Sequence, residues 1–341
     1  KVVEPKVVEP KVVEPKVVEP KVVEPKVVEP KVVEPKVVEP KVVEPKVSEQ
    51  KALSIAAKVA QIIDVVIQNN QFNRIDGIAI SANPEGNSGA VMEIDIIGNT
   101  FTANVYGGFS NTNNGEVAIS LRNQQGNSTM RFDVNTNTIS NYTGELALGV
   151  IEVEAGDFTV NNGAIQVNTI NHAHEGNAIQ VFVDGLPTVM GGSTNTILNV
   201  RVVNNTIPNT APILGASLLA NNNGATSPTQ NGTLNIIATG NSFNAVASGA
   251  TRRTMTINVR ERHNACMDIR SNNLAAGTGG IQPSINVSYN GSGIVRLQGM
   301  AGMGDADAVA YLNFNNTLAV GASSGPNNNI TNATCTLPSY P

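Results

Sequence analysis

Residues 129–139 read TMRFDVNTNTI, and this pattern decides the fold. Met130, Phe132 and Val134 alternate with polar residues, after which Asn137 precedes Ile139 by two positions. Strict alternation is typical of a strand that buries one face. The stretch therefore predicts a half-buried strand that ends at an Asn corner, with a further apolar position just beyond the corner.

The same unit recurs along the chain as Asn, any residue and then a large apolar residue. Successive Asn residues are 29, 38, 31, 37, 36 and 31 residues apart. In six of the seven repeats, the positions seven, five and three residues before the Asn are apolar; the fourth repeat is degenerate, with Asn161, Gly163 and Ile165. The seven predicted corner residues are Asn70, Asn99, Asn137, Asn168, Asn205, Asn241 and Asn272.

This spacing favours a solenoid over a β-sandwich, because the hairpins of a sandwich recur every 8–12 residues. Strands in the same phase would stack as parallel neighbours about 4.8 Å apart. Further strand-like segments at Val117–Leu121, Ala178–Val183 and Met255–Val259 give each coil at least two strands, with room for a third. We predict an all-β parallel β-helix over 62–282, in which the corner Asn side chains stack as an amide ladder.

The repeats also resemble those of a known group of proteins. The Asn-Thr/Ser-Ile/Phe units are similar to the coils of right-handed parallel β-helices in large secreted bacterial surface proteins. The stretches 265–274, 294–303 and 334–338 resemble the C-terminal ends of such proteins, so that the similarity covers about residues 62–338. This resemblance implies the fold, its right-handed winding and secretion, and it adds little about activity.

The N-terminal fifty residues have a different composition from the rest. KVVEP occurs nine times between Lys1 and Pro45 and then changes to KVSEQ. Proline at every fifth position disfavours helix and central strand, so residues 1–50 are predicted to form an extended stalk of roughly 150 Å at about 3.1 Å per residue. A spacer is the favoured interpretation; an unstructured linker and a lateral bundle of repeats are the alternatives.

A short amphipathic helix is predicted between stalk and solenoid. Ser48 suits a helix start, and Ala52, Ile55, Ala56 and Val59 fall on one face of a helix over about 49–61. Because a solenoid has an open apolar cross-section at its ends, we expect residues 51–61 to cap its N-terminal end.

Charge and composition exclude several classes of partner. The stalk is neutral, so the remaining residues carry the whole net charge of −5, and no lysine follows Lys58. Nucleic acids and anionic membranes are therefore poor candidates, and no apolar run is long enough to span a bilayer. Arg252–Arg253 and Arg260–Arg262 form the main basic cluster, interpreted as a charged strand edge rather than a binding patch.

The C-terminal segment 283–341 is predicted to close the other end. Strands at Ile285–Tyr289 and Ile294–Leu297 and a short helix over Asp305–Leu312 fit this segment. Cys266 and Cys335 are predicted to form a disulfide that holds the tail across the final coil, with two free thiols as the alternative. Such a bridge implies an oxidising compartment, and two cysteines with no Cys-x-x-Cys spacing argue against a metal site.

The outward-facing positions of the predicted strands hold the few candidates for metal-binding or catalytic residues. Asp95 and Asp133 occupy the same position in neighbouring repeats, where a carboxylate pair could bind Ca²⁺ or act as a glycosidase couple. Solvated surface carboxylates without a role are the favoured interpretation, and the neighbouring Glu93 and Arg131 suit an exposed ion pair. His172, His174 and Glu175 are read as a surface turn rather than a zinc site, and no cofactor is predicted.

These features predict an extracellular structural or adhesive protein of a bacterial cell surface. We expect the N-terminal side to face the cell envelope or wall, and polysaccharide or neighbouring copies to be the other partners. The chain shows no recognisable enzyme active site. The alternative is a β-helix that binds or cleaves carbohydrate, and a third possibility is assembly into an extracellular filament or surface layer.

Overall fold

The structure is a computed structural model. It describes residues 62–75, 77–84, 89–103, 117–124, 126–142, 149–156, 158–173, 176–185, 196–208, 215–224, 232–244, 253–261, 263–277, 282–291, 293–325, 330–332 and 334–335. The predicted stalk (1–50) and capping helix (51–61) lie outside the described residues.

The described part of the chain winds through eight coils, each with three short strands, and ends in one further strand. In chain order, the coils contain β1 (Ile62–Gln68), β2 (Gln71–Ile75) and β3 (Ile80–Ala82); β4 (Val91–Ile97), β5 (Thr100–Ala103) and β6 (Ile119–Asn123); β7 (Thr129–Asn135), β8 (Thr138–Tyr142) and β9 (Gly149–Ala155); β10 (Val160–Gln166), β11 (Thr169–Ala173) and β12 (Asn177–Gly185); β13 (Thr196–Val203), β14 (Thr206–Ile207) and β15 (Leu218–Gly224); β16 (Gly232–Thr239), β17 (Ser242–Phe243) and β18 (Met255–Glu261); β19 (Asn264–Arg270), β20 (Asn273–Leu274) and β21 (Ile285–Gly291); and β22 (Val295–Leu297), helix α1 (Asp305–Asn315), β23 (Thr317–Leu318) and β24 (Ala322–Ser324), followed by β25 (Ile330–Asn332).

Strands that occupy the same place in successive coils pair in parallel and form three stacked sheets. Sheet 1 contains the first strand of every coil and β25, sheet 2 the second strands and sheet 3 the third strands. The prediction of an all-β parallel solenoid is confirmed, and the third strand for which the repeat left room is present in every coil described.

The interior is built from the apolar positions that the repeat predicts. In the third coil Phe132, Val134 and Ile139 are fully buried. Register pairs such as Ile94–Phe132 and Ile96–Val134 place like positions directly above one another. At the N-terminal end of sheet 2, the rings of Phe72 and Phe101 stack with their centroids 4.7 Å apart. Stacking of like positions in successive coils therefore contributes to the core.

The fourth coil departs from the repeat for a structural reason. A Cβ atom on Gly163 would lie 2.5 Å from two ring atoms of Phe132 in the coil before, so the aromatic ring occupies the space that a side chain would need. Asn161 is fully buried, accepts a hydrogen bond from Nδ2 of Asn123 at 2.8 Å and donates to the carbonyl oxygen of Glu154 at 2.7 Å. The small and polar residues of the degenerate repeat therefore fit the neighbouring side chains and backbone.

The three sheets continue beyond residue 282. β21 and β24 extend sheet 3, and β22 and β25 extend sheet 1. The predicted helix over Asp305–Leu312 is observed as α1, three residues longer, with Ala308 and Leu312 buried. This helix lies between the first and second strands of the eighth coil.

Candidate functional site

The corner Asn residues form a continuous column of hydrogen-bonded amides. The backbone N–H and the Nδ2 group of each corner Asn both donate to Oδ1 of the Asn in the next coil, at 2.8–3.2 Å. From Asn99 onward, Nδ2 also donates to a carbonyl oxygen of the coil before; Asn168, for example, donates to Val134 at 2.8 Å. These amides use their full donor and acceptor capacity on one another and on the backbone.

Left-handed backbone precedes the first seven corners of this column. The residue before the Asn has a φ between 55° and 69°, which turns the chain from sheet 1 into sheet 2. Glycine fills the position at Gly98 and Gly240, where this conformation carries little steric penalty. Elsewhere larger residues adopt it, including β-branched Thr136 and Val167, so the column holds corners that local preference alone would not form.

The column has an eighth member that the sequence analysis missed. Oδ1 of Asn316 accepts from the backbone N–H of Asn272 at 3.1 Å and from its Nδ2 at 2.9 Å. The signal was present as Asn316-Thr317-Leu318, but it comes 44 residues after Asn272 because α1 lengthens the coil. The prediction of seven repeats was therefore one short.

Asp95 and Asp133 are direct register neighbours on the outer face of sheet 1. Burial, and next the charges of Asp133, Asp64 and Glu93, raise the pKa of Asp95. Asp133 accepts a hydrogen bond from Nε2 of Gln166 at 2.9 Å, and Arg131 forms the predicted ion pair with Glu93. Among the described residues, no group of three or more His, Cys, Asp and Glu side chains gathers as metal ligands.

The predicted histidine cluster cannot be placed, because His174 and Glu175 lie outside the described residues. His263 lies instead in the protein interior, fully buried. Its Nδ1 accepts a hydrogen bond from the backbone N–H of Gly232 at 2.8 Å, and its Nε2 has no hydrogen-bond partner among the described residues. Burial lowers the pKa of His263 to about 4. This residue is therefore a neutral core histidine.

Cys266 and Cys335 lie at disulfide distance, with Cα atoms 5.6 Å apart. Cys266 is on β19 and points to the outer face of sheet 1, yet it is only 7% exposed. The backbone N–H of Cys335 donates to Oε1 of Gln298 at 3.3 Å, so the tail is also held to the eighth coil by a hydrogen bond. The cysteine pair joins the C-terminal tail to the seventh coil.

The basic cluster is only partly visible. Arg260 is exposed at the end of β18 and Arg253 is half-buried, whereas Arg252 and Arg262 lie outside the described residues. Two of these four side chains, Arg253 and Arg260, are therefore described.

Sheet 3 carries a charged cluster that the sequence analysis missed. Nη2 of Arg122 lies 3.0 Å from Oε2 of Glu152, and its Nε lies 3.7 Å from Oε2 of Glu154. Nε2 of Gln124 donates to both carboxylate oxygens of Glu154 at 3.0–3.1 Å. Glu152 and Glu154 are nearly buried although they point outward from β9. We name this group, with its register neighbours Ser120, Gln180, Phe182 and Asn221, the sheet 3 cluster.

Fold and side chains together define a parallel β-solenoid protein with an internal amide ladder. The chain matches no protein-family model, and neither curated proteins nor solved structures give a match. Within the described residues, no helix is long and apolar enough to cross a membrane.

Proposed function

We propose that this protein is an extracellular structural or adhesive protein of a bacterial cell surface. A right-handed solenoid head would be presented on the extended KVVEP stalk, whose N-terminal side would face the cell envelope or wall. The amide column from Asn70 to Asn316 carries this proposal. Buried amides that satisfy one another along the axis stabilise a scaffold, and they leave no free group for a reaction.

The cysteine pair supports the proposed location. Disulfides persist in oxidising compartments and are rare in the cytosol of most organisms. A bridge between Cys266 and Cys335 would therefore suit a protein that works outside the cell. Neighbouring copies are the partners in an extracellular filament or surface layer, and polysaccharide is the partner in adhesion.

Two measurements on the full chain test this proposal. Negative-stain images are expected to show elongated heads, alone or joined into filaments or sheets. Incubation with a panel of polysaccharides is expected to release no reducing ends. Reproducible release would replace the structural role with an enzymatic one.

The register of Asp95 and Asp133 favours a second candidate, a carbohydrate-cleaving protein or a Ca²⁺ site. In that case Asp95→Asn should abolish any release of reducing ends, and added Ca²⁺ should raise the melting temperature of the native chain. A melting temperature that does not respond to Ca²⁺ excludes the metal site.

A further inference from the structure

We propose that the outer face of sheet 2 adsorbs to ice. This activity would belong to the solenoid itself. It goes beyond the surface role proposed above and does not depend on where the protein works.

A row of hydroxyl groups follows the amide column along sheet 2. The residue directly after each corner Asn points outward, and these residues pair in register from the first coil to the eighth. Because neighbouring strands lie about 4.8 Å apart, the row is about 34 Å long. Six of its eight members carry a hydroxyl group, and the full row is Gln71, Thr100, Thr138, Thr169, Thr206, Ser242, Asn273 and Thr317.

A second outward row runs beside the first, two residues further along each strand. In the first four coils it consists of Asn73, Thr102, Ser140 and Asn171, which also pair in register. Two residues of a strand span about 6.7 Å, so hydroxyl and amide groups form a rectangular array with this spacing in one direction and about 4.8 Å in the other. Oxygen atoms on the prism face of hexagonal ice repeat on a rectangular lattice of similar dimensions. The array therefore matches ice in two directions at once.

The hydroxyl groups of the first row are accessible to water. Thr100, Thr138 and Thr317 are exposed, and Thr169 and Thr206 are half-buried. None of the hydroxyl groups in this row has a hydrogen-bond partner among the described residues. Because threonine is branched at Cβ and stiff at χ1, its hydroxyl group is held in a fixed direction. Ice can therefore bond to groups that lose little freedom on contact.

The layer beneath the array is tightly packed. Phe101, Ile139 and Ile170, which lie between the two rows in the sequence, are fully buried. The amide column runs next to the first row in every coil, and side-chain ladders of this kind stabilise flat sheets. We therefore expect a flat face, as contact with a crystal requires.

The composition of the face favours ice over other partners. Within the described residues, both rows lack charged groups and outward aromatic rings, and aromatic rings commonly line ligand sites. A charged group would lose hydration at an ice surface, and this face avoids that cost. With a width of about 13 Å, the face covers roughly 450 Å². A stable protein–protein interface needs about 800 Å² on each partner, so a second copy is a poor candidate.

Thermal hysteresis of the full chain tests the proposal; it is the gap between the melting and freezing temperatures of a single ice crystal in the protein solution. We expect a measurable gap and faceted crystals, with fluorescently labelled protein adsorbed to the prism faces. Thr169→Tyr should lose most of the thermal hysteresis, because a ring that stands above the row holds the neighbouring hydroxyl groups away from the lattice. Thr138→Tyr should act in the same way at an exposed position, where the fold tolerates the ring more easily.

Thr256→Tyr is the matched control, because Thr256 is half-buried and points outward from β18 in sheet 3. This variant should keep the thermal hysteresis of the native chain. Circular dichroism and melting temperatures identify the folded variants, and Thr138→Tyr carries the test if Thr169→Tyr does not fold.

The proposal is overturned if the native chain shows neither thermal hysteresis nor ice shaping. It is also overturned if folded Thr138→Tyr keeps the native activity, or if Thr256→Tyr loses as much. Binding to crystalline cellulose or chitin without ice activity would assign the face to polysaccharide instead. A dimer in sedimentation that Thr138→Tyr dissociates would assign it to a second copy. None of these outcomes bears on the scaffold role of the amide column.

Discussion

At the scale of single residues, each corner Asn serves two coils. Oδ1 of Asn168 accepts both hydrogen bonds from Asn137, and its own donors reach Asn205 and the carbonyl of Val134. Removing this amide leaves buried donors and acceptors unpaired on both sides. Asn168→Ala should therefore lower the free energy of unfolding by about 3 kcal/mol or more in urea titrations.

Asn73 provides the matched control for this substitution, since it is exposed on β2 outside the column. Asn73→Ala should change the free energy of unfolding by less than about 0.5 kcal/mol. Equal effects of the two substitutions would show that the column does not stabilise the fold.

His263 makes stability depend on pH. Its pKa of about 4 in the folded protein lies below the ordinary value of 6.5, because burial disfavours the charged ring. The unfolded chain therefore binds more protons between these values, and stability is fully present above about pH 6.5 and is lost as the pH falls toward 4. The loss from this one group should approach about 3 kcal/mol.

His263→Asn is the control, because an amide oxygen can accept from Gly232 and does not titrate. Urea titrations at a series of pH values between 7 and 4 should show a shallower fall for this variant than for the native chain. Parallel curves would contradict the assignment of the pH dependence to His263.

At the scale of the structural element, strands of one coil are fitted to the strands of the next. Gly163 of β10 lies against the ring of Phe132 of β7, and even a methyl group there would contact ring and backbone. Gly163→Ala should lower the free energy of unfolding by about 1–3 kcal/mol, as overpacked cores do. Gly321→Ala, whose methyl group would meet only the side-chain tip of Asn313 at 3.3 Å, should be nearly neutral.

The register of the strands in sheet 1 could be predicted because the corner Asn of each coil gives a fixed position from which residues can be counted. Counting from Asn99 and Asn137 placed Asp95 beside Asp133 and Glu93 beside Arg131, as the structure has them. Sheet 3 offers no such reference. The connection from sheet 2 to sheet 3 differs in length between coils, so the register of Arg122 against Glu154 could not be derived, and the sheet 3 cluster was missed.

The repeat spacing predicted seven coils rather than eight for a related reason. β22 has only three residues, too few to show alternation, and α1 delays the next corner. Only the triplet Asn316-Thr317-Leu318 marks the eighth coil, and a triplet alone is frequent by chance in a chain with 45 Asn residues.

At the scale of the whole solenoid, each coil contacts mainly its neighbours, so stability is close to a sum of coil and interface contributions. The amide column joins all eight coils, but only the pair Cys266–Cys335 ties the tail to an earlier coil covalently. The two cysteines are separated by 69 residues in sequence, and closing a loop of this size stabilises a fold by about 4 kcal/mol in the chain-entropy estimate.

Loss of this pair should therefore loosen one end rather than the whole fold. In the double variant Cys266→Ser/Cys335→Ser, amide hydrogen exchange should accelerate in β22 and β25, which lie inside the closed loop at the end of sheet 1. Exchange in β7 and β10, four or more coils away from β22, should change little, because each coil is stabilised mainly by its contacts with the neighbouring coils. Uniform acceleration across all strands would instead show that the described solenoid unfolds as a single cooperative unit.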